Sequence, residues 1–204
     1  MRKKILLILP LLLFAITQQL QAVTCNWGYC NSVVNDQFGS VNKGKGAIYI
    51  PAEISKMYEG KQLSYVRVGL AAKAKTVKVF VTKDLNSEYI TTRTQRDQLS
   101  GFNEIKFAEP WTIDGEGFYI GYEFESDDYA MGSSTMYNEN GCWADLGDGW
   151  KNYAVEDHAL ALSIQAKISG DDLPKDYWLF CSNDILAEAA KLFNINFSSR
   201  NMGT

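Results

Sequence analysis

The chain has 204 residues and a formal net charge of −4, because 24 acidic residues outnumber 20 basic ones. This balance argues against nucleic acid as a partner, since binding to a phosphate backbone requires clustered Lys and Arg. The densest basic stretch, Lys73 and Lys75 with Lys78, is interpreted as a solvated strand edge. A hydrophobic fraction of 46% and an aromatic fraction of 13% exclude disorder as the default and can supply the core of one ordinary domain.

The N-terminus has the features of a secretory signal peptide. Residues 2–4 are basic, the 12 residues from Ile5 to Ile16 are mainly apolar, and the small residue Ala22 ends the segment. The apolar run is shorter than the roughly 20 residues that a membrane-spanning helix needs, so no transmembrane anchor is expected after cleavage. We therefore predict that residues 1–22 are a signal peptide and that the chain is exported to the periplasm, the cell surface or the medium. Without this segment, which holds three bases and no acid, the net charge is −7.

Four cysteines follow the predicted signal peptide: Cys25, Cys30, Cys142 and Cys181. An even number in an exported chain permits two disulfides, and four cysteines allow three pairings. The short spacing from Cys25 to Cys30 suggests a local loop, but Cys30 could equally join the N-terminal segment to Cys142. The pairing stays open at this point.

Alternation of apolar and polar residues predicts an all-β protein. Val77, Val79 and Val81 fall on one face of a strand, and the last strand places Leu160, Leu162, Ile164, Ala166 and Ile168 inward, with residues 161, 163, 165 and 167 outward. Many short strands separated by turns, such as the turn at residues 84–87, favour an antiparallel, jelly-roll-like β-sandwich. The predicted strands are Ala47–Ile50, Leu63–Leu70, Thr76–Thr82, Asn103–Phe107, Phe118–Phe124 and Ala159–Ile168.

One short helix interrupts the strands. Pro51 suits the first helical position and Gly60 suits the position after the end, while Ile54, Met57 and Tyr58 form one apolar stripe. We expect this helix to cap one end of the sandwich.

The predicted domain organisation is a sandwich over residues 23–168, a linker over residues 169–175 and the start of a second module over residues 176–204. The linker contains Gly170, two acidic residues and Pro174, which favour a turn or an open segment. The last segment gives conflicting patterns, helical over residues 185–192 and strand-like over residues 193–197. At about 29 residues it is too short to bury a core of its own, so it is interpreted as incomplete.

Three stretches of the sequence resemble a known kind of domain: AIYIPAEISKMYEGKQLSYVRVGL, VKVFVTKDLNSEYI and GFNEIKFAEPWTIDGEGFYIGYEF. They are similar to the N-terminal jelly-roll-like, cleaved-adhesin-like domain of exported multidomain proteins of Bacteroidetes, over about residues 30–168. The resemblance implies that the domain is followed by a linker and an immunoglobulin-like module, with a strand near residues 192–200, and that the natural protein is longer. The similar motifs are markers of fold and include no catalytic signature.

Two acids on one strand are the candidates for catalysis. Glu123 and Glu125 point away from the apolar face of Phe118–Phe124, on the same side as Tyr119. Side chains two residues apart on a strand lie roughly 7 Å apart, within the range of paired glycosidase carboxylates, although alternating acids are also ordinary on a wet strand face. His158 is the only histidine and is interpreted as a turn residue, and no Cys or His spacing indicates a structural zinc site.

The segment from Ser126 to Trp150 is the best candidate for a binding surface. Acids and glycines in loops suit calcium, and flat aromatic rings suit sugars or peptide backbones. The spacing in Asp145–Gly149 does not match a calcium-binding loop and is typical of a turn, and the tryptophans are equally compatible with a core. Any metal therefore stays unknown, with calcium the possible cofactor. The candidate binding residues are Asp127, Asp128, Tyr129, Trp143, Asp145, Asp148 and Trp150.

Trp27 and Tyr29 lie between the first two cysteines. A constrained aromatic loop can bind a ligand, but near the start of a mature chain it more often packs over the open end of a sandwich. We expect packing there.

The sequence as a whole favours an exported, non-catalytic binding or adhesion module of a cell-envelope or secreted protein, with an extracellular glycan or protein as its partner. One alternative is a hydrolase, or an accessory domain of an extracellular glycosidase or protease, that uses Glu123 and Glu125. Another alternative is a structural spacer.

Overall fold

The structure is a computed structural model that describes residues 23–30, 32–154, 160–171 and Leu173, with the backbone alone for residues 23–26. The predicted signal peptide, His158, Cys181 and the predicted module of residues 176–204 lie outside the described residues. Within the described part, no helix is long and apolar enough to cross a membrane.

The predicted all-β, antiparallel fold with one short helix is confirmed. Helix α1 (Ala52–Ser55) continues directly into a 3-10 turn at Lys56–Tyr58. The strands of the described residues are β1 (Val23–Gly28), β2 (Asp36–Gln37), β3 (Lys43–Ile50), β4 (Gln62–Leu70), β5 (Ala74–Thr82), β6 (Thr91–Gln98), β7 (Gly101–Thr112), β8 (Phe118–Ser126), β9 (Gly132–Ser134), β10 (Trp143–Asp145), β11 (Trp150–Asn152), β12 (Ala161–Leu162) and β13 (Ile164–Gly170).

Two larger sheets and one small sheet make up the fold. A four-stranded sheet has the order β1-β13-β4-β7, and a six-stranded sheet has the order β11-β10-β3-β8-β5-β6. The small sheet has the order β12-β9-β2. All paired strands are antiparallel, which permits the alternation of inward apolar and outward polar residues that the sequence shows.

The main core contains residues from both larger sheets in one continuous cluster. Val66 and Ile105 contribute from the four-stranded sheet, and Ile48, Val79 and Ile120 contribute from the six-stranded sheet. The three alternating valines of β5 are all fully buried, as the pattern predicted. This core fixes which side of each sheet points outward, and therefore where a binding site can form.

Trp27 and Tyr29 belong to the main core. Trp27 lies on β1, and its ring packs 4.9 Å from Tyr58 and 5.7 Å from Phe118 between ring centroids. The Tyr29 hydroxyl donates a hydrogen bond of 2.8 Å to the carbonyl of Tyr49. Both side chains are buried, so neither offers a surface to a ligand.

The last part of the sandwich differs from the predicted strand Ala159–Ile168 in two ways. It divides at Ser163, where the chain passes from the small sheet to the four-stranded sheet. Its outward positions Ala161, Ser163 and Gln165 are also fully buried, because neighbouring segments cover them: the Gln165 amide donates to the Cys30 carbonyl at 2.9 Å. β13 then continues to Gly170, two residues beyond the predicted end of the domain.

The helix occupies the predicted place with a different apolar stripe. Tyr58 is fully buried and Ile54 packs against the core, but Met57 is 40% exposed. The stripe that faces the core therefore contains Ile54 and Tyr58 but not Met57. Pro51 is the residue before the helix rather than its first residue, and Gly60 ends the segment at φ +79°.

Strand β6 was not predicted, because Thr91–Gln98 contains no large apolar residue. It pairs only with β5 and forms an edge of the six-stranded sheet. Polar and charged side chains on an edge discourage pairing with other chains. The Lys73–Lys78 stretch is solvated, as interpreted, but it is not an edge, since β5 lies between β6 and β8.

Candidate binding face

The six-stranded sheet carries a second hydrophobic cluster on its outer face, the side directed away from the main core. Its buried members are Ala47, Phe80 and Leu85, and four aromatic residues pack against them. Those four are Tyr89, Tyr119, Trp143 and Trp150, all partly buried.

Strand register brings the members of this cluster together from distant parts of the chain. Trp143 on β10 lies opposite Ala47 on β3, which lies opposite Gly121 on β8, which lies opposite Phe80 on β5. We call these four residues the aromatic row. The side chains in the middle of the row are small, because Ala47 and Gly121 lie between the rings of Trp143 and Phe80.

Gly121 is required at this place by close contact. A Cβ atom at Gly121 would lie 2.5 Å from the carbonyl oxygen of Gly46 and would also meet the ring of Phe80. The missing side chain allows the Phe80 ring to lie over the sheet, where it is fully buried.

The rings around Phe80 are arranged in specific geometries. Tyr89 stacks on Phe80 with a centroid distance of 4.1 Å and an interplanar angle of 4°, while Trp150 meets Phe80 edge-on at 6.3 Å. Trp143 meets Tyr119 edge-on at 5.6 Å. Offset and edge-to-face pairs of this kind add to the stabilisation from buried area, so the cluster is an ordered surface.

A charged row runs beside the aromatic row, two residues further along each strand. From β11 to β5 it contains Trp150, Asp145, Lys45, Glu123 and Lys78, each opposite the next. The Lys45 ammonium lies 3.8 Å from the Asp145 carboxylate, and the Lys78 ammonium lies 3.6 Å from the Glu123 carboxylate. The row therefore holds two positive and two negative side chains.

Glu123 has a defined orientation in this row. One carboxylate oxygen accepts a hydrogen bond of 2.6 Å from the Tyr89 hydroxyl, and the other faces Lys78. Burial, and then the bond to Glu123, raise the pKa of Tyr89, so its phenol stays protonated as the donor.

The β5–β6 connection places Tyr89 over the face. The Asp84 side chain accepts from the backbone N–H of Asn86 at 2.9 Å, and the Ile90 N–H donates to the Val81 carbonyl at 2.8 Å. The turn predicted at residues 84–87 is thus present. It folds Leu85 and Tyr89 back onto Phe80.

Of the predicted binding residues, Trp143, Asp145 and Trp150 meet on this face, together with the acid Glu123. Asp127, Asp128 and Tyr129 lie in the connection after β8, and Asp127 follows Glu123 by four residues, or about 13 Å along an extended strand. Asp127 is paired with Lys75, and Asp128 accepts from the Tyr129 N–H at 2.8 Å. Asp148 is paired with Lys151, whose hydrogen bond lowers the pKa of that carboxyl.

The predicted turn at Asp145–Gly149 is present, since one Asp145 oxygen accepts from the N–H groups of Gly147 and Gly149 at 2.9 and 3.1 Å. Among the described residues, no three Asp, Glu, His or Cys side chains are grouped so that they could hold a metal ion. Calcium at Asp127, Asp128, Asp145 and Asp148 stays a prediction without an assembled set of ligands.

Glu123 and Glu125 point outward from β8, as predicted, while the alternate residues of that strand are buried. Glu125 is exposed and lies in register with Lys43 and Thr76, one step beyond the charged row. The two acids thus share a face but have different surroundings.

Two cysteines are buried free thiols. Cys30 follows β1 of the four-stranded sheet, Cys142 precedes β10 of the six-stranded sheet, and neither forms a disulfide. The two pairings considered for Cys30, with Cys25 or with Cys142, are therefore not formed. Burial raises the pKa of each thiol to about 12, so neither is a candidate nucleophile.

Four residues of this face were missed by the analysis of the sequence: Lys45, Lys78, Phe80 and Tyr89. A signal was present in β5, where Lys78 and Phe80 alternate with the buried valines and hence point outward. A large aromatic residue at an outward position of a strand indicates a covering loop or a ligand-binding surface.

No protein-family model matches this sequence, and no curated protein matches it either. Among solved structures, the fold is similar to that of the clostridial cysteine protease Cwp84 after propeptide cleavage, with a TM-score of 0.57 and 8% sequence identity. The match covers 72% of this chain and 40% of that chain. At this identity the likeness shows the all-β fold alone.

Proposed function

We propose that this chain is an exported, non-catalytic recognition module that binds an extracellular glycan or protein through the outer face of its six-stranded sheet. The observation that carries the proposal is the position of Trp143 and Trp150. Both tryptophans lie outside the main core, partly exposed, around the fully buried Phe80. Their indole rings are rigid and present large contact areas, which is why Trp and Tyr are enriched at binding hot spots.

The surroundings of the tryptophans support a binding role. Apolar rings with a few well-placed polar groups are the usual composition of a ligand site, and Asp145, Lys45 and Glu123 supply such groups in the neighbouring row. The residue resemblance and the predicted signal peptide support placing the module in an exported multidomain protein of adhesin type. Its location would be the periplasm, the cell surface or the medium.

The experiment compares the mature chain, residues 23–204, with Trp143→Ala and Trp150→Ala on arrays of glycans and extracellular matrix proteins. We expect a ligand to be retained and each substitution to lower its affinity at least about tenfold, since truncation of a tryptophan hot spot typically costs 2 kcal/mol or more. The matched control is Trp111→Ala, a partly buried tryptophan on β7 of the other sheet, which should leave affinity unchanged.

Thermal unfolding must show that each variant is folded. Retention that does not change in either tryptophan variant, or no retention at all by the parent chain, would refute this binding face. Turnover of a glycan that disappears in Glu123→Gln and Glu125→Gln would instead favour the hydrolase alternative, for which the shared outward face of the two acids is the supporting observation.

A further inference from the structure

We infer that the ligand of the outer face is a neutral oligosaccharide, with sugar rings packed on Trp143 and Trp150 and hydroxyl groups bound by the charged row. This inference rests on the proposed function, because it names the ligand class of the same face. Three properties of the face support it: its charge balance, its two parallel rows and its hydrogen-bonded strands.

The charge balance disfavours a charged ligand. Each charged side chain of the row faces an opposite charge, Lys45 with Asp145 and Lys78 with Glu123. Recognition of an anionic polymer or a basic peptide depends on a field of one sign. The row has no such field, whereas paired ionic groups can still donate and accept hydrogen bonds to neutral hydroxyls.

The two rows match the two kinds of surface on a sugar ring. Trp143 in the aromatic row and Trp150 at the end of the charged row offer partly exposed indole surface, and the acids and lysines of the charged row offer donors and acceptors about 7 Å from the aromatic row along the same strands. A pyranose ring likewise has an apolar C–H face and a rim of hydroxyl groups. Five adjacent strands, from β11 to β5, span about 19 Å at the usual strand spacing, which suits several linked sugars better than one.

Glu123 is the central acceptor in this arrangement. A carboxylate has about four lone-pair sites, and the Tyr89 hydroxyl occupies one of them while fixing the orientation of the group. The remaining sites can accept from hydroxyls of a sugar that lies against the partly exposed rings of Trp143 and Trp150.

A peptide bound as an added strand could pair only with the edge strands β11 and β6, and not across the four strands between them. The strands β10, β3, β8 and β5 each have a hydrogen-bonded neighbour on both sides. Their backbone groups are therefore occupied, and strand addition requires a free sheet edge.

The test measures affinity by titration calorimetry for neutral β-glucan, mannan and xylan oligosaccharides, for polygalacturonate and heparin, and for any protein retained on the arrays. Each titration is done at 50 and 500 mM NaCl, because salt weakens the binding of charged ligands and leaves neutral contacts nearly unchanged. The variants are Trp150→Ala, Glu123→Gln and the matched control Glu125→Gln, which makes the same change two residues away on the same strand face.

The inference expects binding of at least one neutral oligosaccharide, with less than about twofold change between the two salt concentrations. Glu123→Gln should lower that affinity by about tenfold or more, as expected for a lost hydrogen bond to a charged acceptor, while Glu125→Gln changes it less than about twofold. A neutral ligand that binds equally well to the parent and to Glu123→Gln would overturn the inference.

Other outcomes separate the inference from the proposed function. Salt-sensitive binding of polygalacturonate, heparin or a protein that is lost in Trp150→Ala would overturn the neutral sugar and leave the binding face in place. Binding of any ligand that survives both Trp143→Ala and Trp150→Ala would overturn both.

Discussion

The two buried thiols show how environment sets the chemistry of a residue. Cys30 contacts the Ile164 carbonyl at 3.5 Å, and Cys142 lies within the main core. Burial disfavours the charged thiolate, which raises the pKa of each to about 12. At neutral pH these cysteines therefore act as small apolar core residues.

We predict that stability falls as the pH rises above about 9. The unfolded thiols lose their protons near their ordinary pKa of 9.0, while the folded thiols keep theirs until about pH 12. The folded state then binds more protons, so each thiol lowers the free energy of unfolding by about 1 kcal/mol at pH 10. Urea unfolding at pH 7 and pH 10 measures the difference.

The control for this pH effect is the Cys30→Ala, Cys142→Ala double variant. It should lose less stability between the two pH values than the parent chain does, although its stability at pH 7 is lower. An equal loss in both proteins would contradict the assignment to these thiols.

At the scale of a single element, β8 depends on one glycine. Gly121 lies between Phe80 and Ala47 in the aromatic row, and its lack of a side chain permits the close contact with the Gly46 carbonyl. The alternate residues on the inner side of β8 are buried in the core, whereas Gly121 on the outer side has no side chain.

Gly121→Ala should destabilise the protein by about 3 kcal/mol, because the added methyl group must displace backbone as well as the Phe80 ring. The control is Gly60→Ala, where a Cβ meets nothing within 4 Å and the cost of about 1 kcal/mol comes from the positive φ alone. Denaturant unfolding compares the two. A smaller loss for Gly121→Ala than for Gly60→Ala would refute the packing argument.

Elements with one buried and one solvated face could be predicted from the sequence. The strands that became β4, β5 and β8 show period-two alternation because they are solvated on one side only. β6 has polar residues on both faces, so its sequence shows no alternation that would predict a strand. The last strand was predicted at the correct position in the chain. Its second face was predicted to be solvated, but a neighbouring segment covers that face.

The site could be predicted in parts only. The sequence predicts Trp143 and Trp150 as binding residues because they are aromatic residues in a glycine-containing segment. It predicts Glu123 as a candidate because it is an acid on the outward face of a strand. These residues share one face because the strand order β10-β3-β8-β5 brings together strands that are far apart in the sequence. Local patterns do not encode strand order, so the row could not be assembled before the fold was known.

At the scale of the whole molecule, one core holds both sheets together. The main core cluster is continuous across the sandwich and reaches Leu173, which is 8% exposed. The described domain therefore extends past the predicted boundary at Ile168, because β13 pairs with β1 and β4 as far as Gly170 and Ser169.

A chain that ends at Leu173 should unfold in one cooperative transition at a higher temperature than a chain that ends at Ile168. The shorter chain loses the last pairs of β13 and the burial of one leucine, about 2 kcal/mol in total, which corresponds to a melting temperature lower by roughly 4–8 °C. Differential scanning calorimetry of the two chains measures this shift. Equal melting temperatures would show that the domain ends at Ile168.

The two hydrophobic clusters of the fold are separate. Phe80, Trp143 and Trp150 lie on the outside of a sheet whose inside is packed independently. Substitutions of the partly exposed Trp143 and Trp150 and of the charged residues beside them can therefore change the chemistry of the outer face while the main core keeps the chain folded. Under the proposed function, a related protein would acquire a different ligand through single substitutions on this face, and each variant along the way would keep the fold.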